Sequence, residues 1–131
     1  MSLKPWLASA VMCAALLPAT GRAAVTEDSF KLQSTGDLVE LCSAAPSDPM
    51  GTAALNFCHG FALGVFRVLD EEAAAERIHR MFCAPSPGPS RTQAIADFVA
   101  WAKANPNVVA QPPADGLVAY LVKTFPCPHG K

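Results

Sequence analysis

The N-terminal part of this 131-residue chain lacks the roughly 20 consecutive apolar residues that a membrane helix needs: its apolar run, Trp6 to Leu17, covers 12. Also missing are a Gly-x-Ser-x-Gly elbow, a His-Glu-x-x-His pair and a glycine-rich phosphate loop, the signatures of serine hydrolases, zinc peptidases and nucleotide enzymes. Asp70 and Glu71 are adjacent, so on a helix they point about 100° apart and make a poor acid–base pair. No enzymatic activity is expected. Lys and Arg never form a block, which argues against nucleic acid or anionic lipid as a partner. Runs of β-branched residues are few and alanine is abundant, so the composition points to an all-α fold.

What the chain does have begins with an export pattern. Lys4 gives a short positive start, Trp6 to Leu17 the apolar centre, and Gly21-Arg22-Ala23 a small-x-small cleavage site. Residues 1–23 therefore read as a signal peptide, with a periplasmic product that keeps no membrane anchor. Cys13 lies within that leader and lacks the surroundings of a lipid-attachment cysteine. Removing Lys4 and Arg22 leaves the 11 acidic residues in an excess of three over the basic ones. The product is about 108 residues long, one domain by size.

Residues 24–33 show no period and are expected to form a loose N-terminal arm ahead of a helical domain over 34–131. Ser34 followed by Asp37 approximates a capping box for a short helix with Leu38, Leu41 and Cys42 on one face. Asp48-Pro49 opens the next helix, Pro being favoured at a first helical position, and that helix is expected to run to about Ala74. Within it, apolar or small residues at 58, 61, 62, 65, 68 and 69 keep the helical period. We expect it to be the central helix on which three others pack. Gly60 and Gly64 stand one turn apart inside it, each costing about 0.5–1 kcal/mol relative to Ala. They are therefore expected to admit a neighbouring helix closely, or else to form a homodimer seam. Beyond Asp70 the charges, Glu76–Arg80 among them, suit a solvated face, and the spacing does not say whether the helix stops near Ala75 or continues to Arg80. Pro85 to Pro89 cannot be helical. Ser90 with Gln93 is a capping box for a third helix bearing Ile95, Phe98 and Trp101, which ends at Asn105-Pro106. Pro112-Pro113 leads into a fourth helix with Leu117, Tyr120, Leu121 and Thr124 facing inward, ended by Pro126.

Four cysteines survive cleavage: Cys42, Cys58, Cys83 and Cys127. An even number in an exported chain reads as two disulfides. Spacing alone leaves three connectivities, but short loops make successive helices antiparallel. That places Cys42, at the end of helix one, beside Cys58 near the start of helix two. A 26-residue helix is about 39 Å long, so Cys58 and Cys83 lie too far apart to bond. The expected bridges are Cys42–Cys58 and Cys83–Cys127, giving a four-helix bundle stapled twice. His59, His79 and His129 lie near cysteines but match no metal-ligand spacing, so no metal or other cofactor is expected.

Cys58-His-Gly60-Phe61-Ala-Leu-Gly64-Val65, then Phe82-Cys83-x-Pro85, Asn105-Pro106 and Phe125-Pro126-Cys127 resemble the Rap/Tai family of immunity proteins over about Leu38 to Cys127. Members of that family protect bacteria against type VI secretion peptidoglycan amidases. The resemblance implies a small exported helical protein, often dimeric, whose partner is a cognate amidase effector with an active-site groove to occlude. The proline-rich segment 86–89 and the charged stretch 71–80 depart from the family's pattern. Between helices three and four the connection is apolar for a loop, and Asn107, Val108, Val109 and Gln111 are the residues expected to reach the partner. The other arrangement for the two valines is to fold back and cap the bundle. A different class of function, a helical envelope stress or chaperone-like protein with no toxin partner, fits the same composition.

Overall fold

The computed structural model describes residues 24–128. The export signal expected over 1–23 lies outside them, as does the tail from His129. Four α-helices follow one another, α1 (Thr35–Cys42), α2 (Gly51–Ala74), α3 (Arg91–Ala104) and α4 (Pro113–Thr124), with short 3-10 turns at Glu27–Lys31 and Pro106–Val108. Among the described residues there is no strand, and the protein is all-α as expected.

Local chemistry explains most of the helix ends. Ser34 Oγ accepts from the Asp37 amide, and the Asp37 carboxylate accepts from the amides of Ser34 and Gln33 at 3.0 and 2.8 Å, closing the capping box. At α3 the box is half made. Ser90 Oγ accepts from the Gln93 amide at 3.2 Å, while the Gln93 side chain turns to donate to Asp97. Pro113 takes the first position of α4, where a missing N–H costs nothing. Pro49 does not do this for α2, which begins at Gly51 after two tight turns. The Asp48 carboxylate instead accepts from the Met50 amide two residues on. The far end of α2 is settled by a Schellman cap. Glu76, at φ 57°, takes the left-handed position, and the amides of Glu76 and Arg77 return to the carbonyls of Ala73 and Glu72. With the helix ended, Glu76 and Arg80 do not pair as expected. Arg77 clasps Glu72, and Arg80 reaches Asp70 at 2.8 Å.

Both expected disulfides are present, Cys42–Cys58 and Cys83–Cys127, with Cα–Cα distances of 5.2 and 4.8 Å. Closing loops with separations of 16 and 44 residues contributes about 3 and 4 kcal/mol on a loop-entropy basis.

The core differs from the expectation in its centre. α1, not α2, is the element that the others surround. Leu38 and Leu41 are fully buried, and α1 touches α2, α3, α4 and the N-terminal 3-10 turn. From α2 only Gly51, Ala54 and Cys58 are buried, all in its first half. Ile95, Phe98 and Ala102 of α3 and Leu117, Tyr120 and Leu121 of α4 complete the core, with the Tyr120 ring 5.6 Å from Phe98 and 5.7 Å from Trp101. Thr124 is exposed, contrary to its expected inward place. The arm over 24–33 is not loose. Val25 is buried with its amide on Asp48 at 2.9 Å, and Phe30 meets Phe57 edge to face at 5.6 Å. An apolar side chain and a paired amide hold a segment in which no sequence period shows.

The glycines that matter for packing are Gly51 and Gly116. A Cβ at Gly51 would strike the Ala45 carbonyl, and one at Gly116 the buried side chain of Thr35, which fastens α4 to α1. Gly60 and Gly64 have open space where a Cβ would stand, so the close helix contact expected there does not occur among the described residues. Gly116→Ala should therefore destabilise the fold by about 1–3 kcal/mol through overpacking. Gly60→Ala and Gly64→Ala should each stabilise it by about 0.5–1 kcal/mol. Urea midpoints of the oxidised protein give the sign of each change directly.

Candidate functional site

The loop over 105–111, expected to project toward a partner, is fastened to the start of α1. The Thr35 amide donates to the Gln111 carbonyl at 2.7 Å, the Gly36 amide donates to the Val109 carbonyl at 2.9 Å, and Thr35 Oγ1 lies 3.0 Å from the carbonyls of both Gln111 and Pro112. Val108 is 5% exposed and belongs to the core, so it is removed from the expected contact set. The single 3-10 turn at Pro106–Val108 aims it inward, and burial of its side chain outweighs the cost of ordering the loop. Gln111 is half-buried and committed through its backbone. Asn107 and Val109 remain at the surface, Val109 lying against Gly36.

The larger uncovered apolar surface lies on α2. No residue of α2 after Cys58 is buried: Phe61, Ala62, Val65, Phe66 and Leu69 are only partly covered where they pack against the core. Phe57, Gly60, Phe61, Gly64 and Val68 follow the i, i+3, i+4 rhythm and share a flank. Val68 is 59% exposed and Phe57 39%. Where this flank meets the start of α4, a shallow groove of 570 Å³ runs past Gly60, Gly64 and Val68 to Asp115 and Val118. By length and composition α2 is apolar enough to cross a membrane. Here it is bonded to α1 through Cys58 and lies beside α4.

The opposite flank of α2, with His59, Ala62, Leu63 and Phe66, borders a second and deeper cleft of 360 Å³. α3, α4 and the connection between Cys83 and α3 form its other walls. Tyr120 lies at its floor. Burial pushes the Tyr120 phenol up from its ordinary range, the charge of Asp97 adds to the rise, and a hydrogen bond with Thr124 opposes it. Among the described residues no three of His, Cys, Asp and Glu converge as a metal site would require.

These features define a class: a small, all-helical scaffold, locked covalently at two places, whose most extensive unclaimed surface is an apolar helix flank. The sequence model of the Rap1a immunity proteins matches residues 34–127, and the chain belongs to that family. No curated protein and no solved structure matches it.

The two apolar flanks of α2 were hidden in the sequence because both keep the helical period, and a period does not say which face is covered. Gly60 and Gly64 were the available signal, since small residues off the bundle interior leave room for something outside the chain.

The lone tyrosine provides a direct check of this packing. Its folded-state pKa is raised above the ordinary phenol value of about 10. Its contribution to stability is thus complete below pH 10 or so and is lost as pH rises through the raised value. An ultraviolet titration should show the folded protein ionising at higher pH than the same protein in denaturant. Coincident curves would place Tyr120 at the surface.

Proposed function

We propose that this chain is an exported immunity protein that binds a type VI peptidoglycan amidase in the periplasm and occludes its active-site groove. Membership of the immunity family supports a protein partner, and the export pattern of the first 23 residues supports the compartment where such an amidase acts. The observation that carries the reading is the uncovered flank of α2 from Phe57 to Val68. Exposed apolar side chains at Phe57 and Val68 beside a groove suit contact with a protein, and glycines at 60 and 64 admit a partner's backbone closely. Asn107 and Val109 extend the contact from the loop over 105–111. No side chain needs to react: blocking the groove is enough.

The test uses a peptidoglycan amidase encoded beside this gene and the oxidised protein. Val68→Asp and Gly64→Leu change only open surface, so thermal unfolding should be retained while inhibition of the amidase weakens at least tenfold. Inhibition unchanged in both variants would remove this flank from the interface. An amidase fully active in the presence of saturating wild-type protein would overturn the proposed function itself.

A further inference from the structure

We propose that the deeper cleft, on the other flank of α2, is a binding site for a single-chain anionic amphiphile such as a medium-chain carboxylate. The cleft measures 360 Å³, within the range of small-molecule sites. It is graded in exposure. Ile95, Leu117, Tyr120 and Leu121 at its floor are all at or below 7% exposed, whereas Arg91 and Pro89 at its rim are exposed.

The outer wall explains why the cleft stays open. Residues 84–90 run from the Cys83–Cys127 bridge to the first turn of α3, and prolines at 85, 87 and 89 fix the backbone there. A wall pinned at one end by a disulfide and stiffened by three prolines does not fold inward over the apolar floor. Water gains few hydrogen bonds in such a space, and an alkyl chain replaces it favourably.

The rim supplies the sign of the head group. Arg91 and His59 are the basic side chains that line the cleft, and no carboxylate lines it. Arg91 takes part in none of the three ion pairs among the described residues, which are Lys31–Asp28, Arg77–Glu72 and Arg80–Asp70. Asp97, the acidic residue of α3, accepts from the Gln93 amide group instead. Arg91 is also the first residue of a 14-residue helix, where a cation opposes the helix dipole and an arriving anion is favoured. A carboxylate at Arg91 with its chain running toward Tyr120 satisfies both ends of the cleft.

Calorimetric titration of the oxidised protein with decanoate, decyl phosphate and decanol, each below its micelle-forming concentration, tests this. We expect one saturable site for decanoate, at least tenfold weaker binding of decanol, and at least tenfold weaker decanoate binding to Arg91→Glu. Ala62→Phe, which fills the cleft, should abolish binding with the helical circular dichroism kept. Decyl phosphate binding as tightly as decanoate identifies the anion–chain pattern as what is read, with either head group serving as a source. No saturation by decanoate, or equal binding of decanol, overturns the proposal. So does a change in oligomeric state on Ala62→Phe, since the cleft would then be covered by a second copy. None of these readouts involves the amidase, so this site and the proposed immunity function fail independently.

Discussion

An isolated helix of eight residues has little stability in water, because the cost of nucleation is spread over too few hydrogen bonds. α1 is such a helix, and the rest of the molecule depends on how it is held. Its first turn is closed by the reciprocal Ser34–Asp37 cap and tied through Thr35 to the carbonyls of Gln111 and Pro112. Its last residue, Cys42, is bonded to α2. Between these anchors Leu38 and Leu41 carry no exposed surface. With both ends fastened, a short element does the work of a core, and the longer helices are arranged on it.

An eight-residue post cannot cover a 24-residue helix. The buried residues of α2, Gly51, Ala54 and Cys58, all lie in its first half, while two apolar flanks begin at Phe57 and His59 and the far end contributes a Schellman cap and two surface ion pairs. Those flanks have different characters. The one facing the start of α4 is shallow and widely exposed, which suits a protein surface. The other is bounded by the proline-rich connection and opens onto buried side chains, which suits a chain-like small molecule. The two surfaces share a helix, and the second bridge, Cys83–Cys127, anchors a wall of the second alone.

Much of this was legible in the sequence, where local chemistry decides. Ser34 and Ser90 announced their helices, and the disulfide pairing followed from helix order and helix length. The errors share one physical origin, which is that packing partners distant in the chain leave no local mark. Gly60 and Gly64 read as contact glycines, yet the crowded positions are Gly51 beside Ala45 and Gly116 beside Thr35. Val25 and Phe30 lie in a segment without period but find Asp48 and Phe57. Val108 and Val109 look alike in sequence, and one turn of 3-10 helix sends only the first into the core. The end of α2 rested on Glu76 adopting a left-handed backbone, which its side chain does not advertise.

Stability is concentrated in the clamped α1, and the outer half of α2, which has no buried residue, is held more lightly. Native-state hydrogen exchange of the oxidised, unliganded protein measures that division directly. The amides of residues 39–42 should exchange only through global unfolding, and those of residues 66–74 at least about tenfold faster through local opening. Equal protection of the two segments, or faster exchange in α1, would show that α1 is not the part on which stability rests.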